Sequence, residues 1–134
     1  MIDIARHMNA TEYVPGVCNI GSAEIRRRWQ AGWLGFAVTI LMVYLSVVGQ
    51  WPAFGRAFIG LPAGLAAAGF LQAALHFCAG FGVLGIKNMG LVAGKTEPVE
   101  QADFRRRDQR RAWQILGWSV AAAIVVGGLA VVGL

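Results

Sequence analysis

Four side chains in this sequence have the chemistry of a metal site. Cys18, Cys78, His7 and His76 together are the ligand set of tetrahedral zinc. Their spacing argues against such a site, because neither a Cys-x2-Cys nor a His-x3-His pair is present. On a helix the side chains of His76 and Cys78 would also point about 200° apart. We therefore predict no metal centre.

His76 is the candidate cofactor residue. It stands one helical turn after Gln72 in a long apolar run, where polar groups are costly and often functional. A neutral imidazole there could ligate a haem or a chlorophyll-type ring, and a bis-histidine haem would need a second chain. The alternative is that His76 lies at headgroup depth and bonds Gln72 or a neighbouring carbonyl. On balance we expect no cofactor.

Cys78 is the candidate reactive thiol. It lies where an apolar run meets a glycine-rich stretch, and a nearby charge such as Lys87 would activate it. Packed among Phe77 and Phe81 it would instead stay inert, which is the role we expect. The sequence has no acid inside its apolar runs, no Ser-His-Asp set and no phosphate-binding glycine loop. We therefore predict a protein that is not an enzyme.

The composition is that of a membrane protein. Of 134 residues, 57% are apolar and 14% are charged, against roughly 45–50% and 25% in soluble domains. The net charge is +5, and the charges fall in three stretches separated by long uncharged blocks. This composition excludes a large soluble catalytic domain, a disulfide-stapled secreted module and a disordered protein.

Three uncharged runs are long enough to cross a bilayer as helices. They are Trp29 to Gly49, Ala57 to Ile86 and Ala112 to Leu134, with 21, 30 and 23 residues, against a requirement of about 20. We predict an all-α integral membrane protein with three transmembrane helices at 22–49, 57–86 and 112–134. Because the second run is too long for one crossing, Cys78 to Ile86 should continue along the interface or form a bent helix end.

The basic residues predict the orientation. Of the twelve lysines and arginines, eleven precede the first run or lie between the second and third, and Arg56 alone falls on the other side. By the positive-inside rule the N-terminus faces the cytoplasm and the C-terminus the outside. The predicted location is the bacterial inner membrane, with several crossings. A disulfide is not expected, since both cysteines then face a reducing compartment.

The segments outside the runs are predicted in less detail. Residues 1–21 should form an extended cytoplasmic arm that leaves Cys18 exposed, and Ser22 should cap the first helix, with Glu24 paired to Arg28. Residues 87–111 should form a basic loop with an interfacial helix. Thr96 would cap that helix, Pro98 would lie in its first turn, and Asp103 would pair with Arg107.

Two clusters of arginines flank the runs. The later cluster, Arg105 to Arg111, could bind nucleic acid, but no aromatic interleaving or binding fold accompanies it. Contact with anionic lipid headgroups explains them without a special partner, so we predict membrane lipids and no nucleic acid as partners. The predicted headgroup residues are Arg26, Arg27, Arg28, Arg105, Arg106, Arg107, Arg110 and Arg111.

Small residues recur at four-residue spacing in two of the runs. Gly60, Gly64 and Ala68 form such a series in the second, and Ala123 and Gly127 form a pair in the third. In lipid, small residues on one face let helix backbones approach closely. We predict helix packing through Gly60, Gly64 and Ala68, with a partner in the same chain or in another.

Four short segments of the chain form a recognisable series: Asn19 to Arg28 (NIGSAEIRRR), Leu61-Pro62, Gly69-Phe70 and Phe77 to Ile86 (FCAGFGVLGI). Through these segments, residues 19–88 resemble the YgaP-like inner-membrane domain family. The resemblance implies a small, often dimeric two-span module, fused in some members to a rhodanese domain that handles sulfane sulfur, with Cys78 as the family's Phe-Cys cysteine. This sequence differs in having Ala79 where members usually have proline, and in adding a third span.

The predicted function is that of a non-catalytic small inner-membrane protein. It would serve as an accessory or scaffold subunit of a larger membrane complex or of a homo-oligomer. Two alternatives stay open: a sulfur-relay protein that uses Cys78, and a subunit that binds haem or a chlorophyll-type pigment through His76.

Overall fold

Three helical stretches of the chain are long and apolar enough to span a membrane. The structure, a computed structural model, describes residues 13–133. The stretches are Ser22–Val48, Ala53–Leu75 and Ala102–Gly133. The first is helix α1, the second consists of α2 (Ala53–Ala57) and α3 (Gly60–Leu75), and the third is helix α5. This confirms the predicted fold class, a predominantly helical chain with three helices able to span a membrane.

The remaining elements lie at one end of the helices, which we call the basic end (residues 13–28 and 76–111). They are helix α4 (Ala79–Leu84) and two short strands, β1 (Ile86–Lys87) and β2 (Glu97–Pro98), which pair antiparallel. An isolated bridge of Val14 with Cys18 closes a turn within the N-terminal segment, and a second bridge, Ile20 with Asn88, ties this segment to the residue after β1. The opposite end, which we call the far end, holds residues 49–59 and the end of α5.

Helix α3 packs against both of its long neighbours through glycine. On the α1 side, a Cβ on Gly35 would lie 2.8 Å from the nitrogen of Ala66, and one on Gly69 would lie 2.5 Å from the nitrogen of Gly32. On the α5 side, Gly60 lies directly against the carbonyl of Ala123. Larger residues at these glycines would push the backbones apart.

The second run is broken earlier than its hydropathy indicates. Helix α3 ends at Leu75, and His76 takes a left-handed conformation (φ 55°, ψ 39°) before α4 begins at Ala79. Non-glycine residues rarely adopt this conformation, so other contacts must hold it. Gln72 makes one of these contacts across the break, because its Oε1 accepts a hydrogen bond of 2.9 Å from the nitrogen of Ala79.

The segment before α5 differs from the predicted interfacial helix. Glu97 and Pro98 pair with β1 instead of starting a helix, and the nitrogen of Val99 donates to the carbonyl of Gly85 at 2.8 Å. These long-range bonds keep the chain extended, so the helix starts at Ala102 and continues unbroken to Gly133. Asp103 then pairs with Arg106, at 3.1 Å, rather than with Arg107.

The start of α1 is close to the prediction. The predicted Glu24–Arg28 pair is present, with 3.1 Å between Oε2 and Nη1. Ser22, however, is the first helical residue, and the N-cap is Gly21, without a side-chain cap bond. A Cβ on Gly21 would lie 2.7 Å from the carbonyl oxygen of Met89, so the close approach of two main-chain segments requires glycine there.

Candidate functional site

Buried polar side chains mark the basic end as the place where chemistry is possible. Asn19, Glu24, Asn88 and Asp108 are 0–2% exposed. Burying such groups is costly unless they are hydrogen-bonded. Their hydrogen-bond partners therefore show which segments of the chain these side chains hold together. We call the connected set Asn19, Glu24, Arg28, Cys78 and Asn88 the polar network.

Glu24 lies at the centre of the polar network. Its Oε1 accepts hydrogen bonds from the nitrogen of Gly94 at 2.6 Å and from Nδ2 of Asn88 at 3.1 Å. The same oxygen lies 3.3 Å from Nη1 of Arg27, while Oε2 faces Arg28. This carboxylate therefore joins the first turn of α1 to the loop between β1 and β2.

Arg28 connects this carboxylate to the thiol of Cys78. Its Nη2 donates to Sγ of Cys78 at 2.9 Å, and its guanidinium lies 5.6 Å from the centre of the Phe81 ring. A guanidinium donates and never accepts, so the sulfur is the acceptor in this contact. Cys78 is 5% exposed and the side chain of Arg28 is 16% exposed, so this contact is largely removed from solvent.

Asn19 holds the main chain on both sides of Cys78. Its Oδ1 accepts a hydrogen bond of 2.6 Å from the nitrogen of Cys78, and its Nδ2 donates to the carbonyl of Cys78 at 3.1 Å. The main-chain nitrogen of Asn19 also donates to the carbonyl of His76, at 3.2 Å. The N-terminal segment thereby stabilises the break between α3 and α4.

A second cluster fixes the N-terminal segment to α5. Oδ2 of Asp108 accepts from the hydroxyl of Tyr13 at 2.6 Å, and Oδ1 accepts from the nitrogen of Gly16 at 2.7 Å. The ammonium of Lys87 lies 4.5 Å from the centre of the Tyr13 ring. Burial and the carboxylate of Asp108 raise the pKa of Tyr13, so its hydroxyl stays a hydrogen-bond donor at neutral pH.

Cys18 does not lie in an exposed arm as expected. It is 3% exposed, and its Sγ lies 3.6 Å from the carbonyl of Ile20. Burial raises the pKa of the Cys18 thiol, which disfavours its reactive thiolate form. Both cysteines are free thiols. The arm is buried here because residues 13–20 bond with the break between α3 and α4, with Asn88 after β1 and with Asp108 of α5. Local sequence does not reveal these partners.

His76 does not form the bond to Gln72 that was one alternative. Gln72 uses its Nε2 for the carbonyl of Ala68 and its Oε1 for the nitrogen of Ala79. Nδ1 of His76 is buried, and within residues 13–133 it has no hydrogen-bond partner. A cofactor on His76 stays the open alternative to the predicted absence of one. No three metal-binding side chains come together in this part of the chain, and His7 lies outside it.

The predicted headgroup arginines divide into two groups. Arg28 is part of the polar network, and Arg105 donates to the carbonyls of Val99 and Glu100, both at 2.7 Å. Arg111 lies 3.4 Å from Oε1 of Gln114. The residues whose surfaces are exposed to the surroundings of the helices are Arg26, Arg27, Arg106, Arg107 and Arg110.

The predicted packing residues fall on two different faces. Gly60 and Gly64 face α5, where a Cβ on Gly64 would lie 2.8 Å from the Cβ of Ala123. Gly127 lies on the matching face of α5, where a Cβ would lie 3.0 Å from the carbonyl oxygen of Ala57. The two predicted series therefore meet within one chain. Ala68 borders instead a cleft between α1 and α3.

Sequence reasoning did not single out Asn88, Asp108 or Tyr13. Asn88 follows the glycine-rich stretch, and Asp108 is the one acid within the last run of arginines. Such isolated polar residues in a basic or apolar setting are a usable signal, but they do not name a partner. The chain matches no family model, no curated protein and no solved structure.

Proposed function

We propose that this chain is a small, non-catalytic inner-membrane protein that serves as an accessory or scaffold subunit of a larger membrane complex or of a homo-oligomer. The observation that carries the proposal is the use made of the buried polar side chains. Asn19, Glu24 and Asp108 each bond to main-chain groups of a distant segment rather than lining an open cavity. They thereby hold the N-terminal segment, the break between α3 and α4 and the loop between β1 and β2 together as one surface. A subunit that positions a partner requires such a fixed surface.

The basic side chains support an orientation with this surface in the cytoplasm. Eleven of the twelve lysines and arginines belong to segments at or before the basic end. The positive-inside rule relates such an asymmetry to a cytoplasmic N-terminus and an outer C-terminus. The five exposed arginines would then contact anionic headgroups, each worth about 1 kcal/mol near the surface. The bacterial inner membrane is the location that fits this arrangement.

The mass of the assembly in mild detergent tests the scaffold role. The chain itself weighs 14.3 kDa. We expect a protein mass, measured by light scattering with the detergent contribution subtracted, that is at least twice this value in whole multiples or that includes a second subunit in fixed ratio. A single chain without a partner, at protein concentrations near those in the membrane, would contradict the proposal.

A sulfur relay at Cys78 is a second candidate, favoured by the contact between Arg28 and Sγ. Charge-assisted hydrogen bonds are shorter and stronger than neutral ones, so a guanidinium at 2.9 Å suits a sulfur anion. In the relay, the thiolate of Cys78 attacks the outer sulfur of a persulfide donor. The sulfur–sulfur bond of the donor breaks, a persulfide forms on Cys78, and the donor leaves as a thiolate. The resemblance to the YgaP-like family agrees with this role.

Mass spectrometry distinguishes the two candidates. The detergent-purified chain is incubated with a low-molecular-weight persulfide, and a gain of one sulfur atom is mapped to a peptide. The relay predicts a gain on Cys78 that Cys78→Ser abolishes and Cys18→Ser leaves unchanged. If Cys78 stays unmodified when folded and reacts only in the unfolded chain, the relay is rejected and the scaffold role is unaffected.

A further inference from the structure

The loop between β1 and β2, residues 88–96, exposes three consecutive apolar side chains. Leu91 is 77% exposed and Val92 is 56% exposed, and Ala93 beside them is exposed as well. We call these three residues the apolar tip. Loops in water are usually built from polar and turn-forming residues, and a run of exposed apolar side chains is unfavourable there unless it has a role. The apolar tip therefore calls for a surface that covers it.

Buried side chains hold this loop in one conformation. Oδ1 of Asn88 accepts a hydrogen bond from the nitrogen of Gly90 at 3.2 Å, and its Nδ2 donates to the carbonyl of Val92 at 3.0 Å. Oε1 of Glu24 accepts a hydrogen bond from the nitrogen of Gly94 at 2.6 Å. These bonds hold the chain on both sides of the apolar tip. The polar network thereby attaches the loop to the first turn of α1.

This attachment gives the depth of the loop relative to the bilayer. Glu24 lies five residues before Trp29, the first residue of the uncharged run of α1, and at about 1.5 Å per residue this is about 7.5 Å. The headgroup region of each leaflet is about 5–7.5 Å thick, because a bilayer of about 40–45 Å has a hydrocarbon core of about 30 Å. Leu91 lies three residues from Gly94, or up to about 10 Å of extended chain. The loop is therefore attached at the outer level of the headgroups, with the acyl boundary within reach of its tip.

The charges around the attachment point are basic. Lys95 is the one charged residue of the loop, and it is exposed, as are Arg26 and Arg27 on the adjacent turn of α1. Apolar side chains flanked by exposed cations are typical of segments that insert shallowly into an anionic membrane surface. An acidic protein would satisfy the same charges, but the depth of the attachment favours lipid.

We propose that the apolar tip inserts into the lipid interface at the basic end, beside the first turns of α1, with Lys95 at the level of the headgroup phosphates. The polar network then has a second role, because it sets the depth to which the loop enters the leaflet. The inference needs only the membrane-spanning helices and the bonds of the loop, and it does not rest on the proposed scaffold function.

A fluorescent label at the tip tests the proposal in vesicles of neutral and anionic phospholipid. The environment-sensitive label NBD is attached to Leu91→Cys and, as a control, to Gln101→Cys. Gln101 is exposed and lies eleven residues before Ala112, the first residue of the uncharged run of α5, so it lies about 16 Å outside the apolar region. Both native cysteines are buried, and the label that the parent takes up is subtracted.

Two quenchers report the position of the label: iodide on both sides of the vesicles, and a lipid with a nitroxide near the ester end of its acyl chain. We expect the label at position 91 to be quenched several times more strongly by the nitroxide lipid, and several times less by iodide, than the label at position 101. Adding Val92→Asp to Leu91→Cys should move the label into water at an unchanged melting temperature, because it places a charge at an exposed position of the tip.

Equal iodide quenching at positions 91 and 101 would overturn the proposal and leave the apolar tip as a surface for a protein partner. Strong quenching by the nitroxide lipid that persists with Val92→Asp would also overturn it, because the label itself would then be the inserted group.

Discussion

The guanidinium of Arg28 lies between a carboxylate and a thiol, with Nη1 3.1 Å from Oε2 of Glu24 and Nη2 2.9 Å from Sγ of Cys78. Glu24 and Arg28 are one helical turn apart on α1, whereas Cys78 follows α3 and lies 50 positions after Arg28 in the chain. The position of the cation over the sulfur is therefore set by a carboxylate of its own helix.

Removing the charge of Glu24 should be costly. Glu24 is fully buried and bonds to two arginines, an asparagine and a main-chain nitrogen. Breaking a buried ion pair from one side costs about 3–5 kcal/mol of folding free energy, so Glu24→Gln should lower the melting temperature clearly. The matched control is Asp103→Asn, because the Asp103–Arg106 pair is 73% exposed on both sides and should change stability by less than about 1 kcal/mol. Equal effects of the two variants would contradict a central role for Glu24.

Asn19 should control the accessibility of Cys78. Asn19→Ala removes both hydrogen bonds to the main chain of Cys78 and leaves buried groups unsatisfied, at about 1–3 kcal/mol each. We expect the break between α3 and α4 to open more often, and a polar maleimide to label Cys78 several times faster than in the parent. Labelling of the parent at both cysteines should be slow, since both are buried. Rapid labelling of the parent at Cys78 would show that the thiol is open without any change at Asn19.

Enlarging Gly64 should separate α3 from α5. A Cβ at this position would already lie 2.8 Å from the Cβ of Ala123 and 3.3 Å from the carbonyl of Ser119. Overpacking of this kind typically costs about 1–3 kcal/mol, so Gly64→Leu should melt at a lower temperature in detergent or fail to accumulate. Leu71→Ile, a change of shape without a change of volume, is the mild control. A Gly64→Leu protein that melts like the parent would show that the backbones do not meet there.

The orientation can be tested with reporters fused at two points. A reporter that is active only in the periplasm should be active at the C-terminus and silent after Gly94, because the positive-inside rule places the loop between β1 and β2 in the cytoplasm. The reverse pattern would contradict the proposed orientation. Activity at both positions would contradict three crossings.

The pigment alternative can be tested by the colour of the purified chain. We expect no visible absorbance, because a haem on His76 would need a second axial ligand from elsewhere. A Soret or pigment band that His76→Ala abolishes would establish the pigment-binding function. The ligand would then be one of the two ring nitrogens of His76, of which Nδ1 is buried.

The sequence alone determined the membrane architecture. Uninterrupted apolar runs specify helices that cross a bilayer, because the bilayer core has no water to hydrogen-bond unpaired backbone N–H and C=O groups. Local spacing was also sufficient for the pair Glu24–Arg28, whose residues are four apart on one helix. The small residues at Gly60, Gly64, Ala123 and Gly127 were recognisable as packing positions from their repeat, although their partner was not.

The tertiary structure decided everything that joins distant segments. The hydrogen bonds between Asn19 and Cys78 span 59 positions of the chain, and the one between Tyr13 and Asp108 spans 95. Local periodicity carries no record of such pairs, since each residue alone is compatible with a solvated loop or helix face. For the same reason the sequence suggested an exposed Cys18, which contacts with distant segments bury instead. It also suggested a helix from Thr96, where pairing with β1 keeps the chain extended. Burial makes the difference, because a buried polar group must find a partner wherever the chain can provide it.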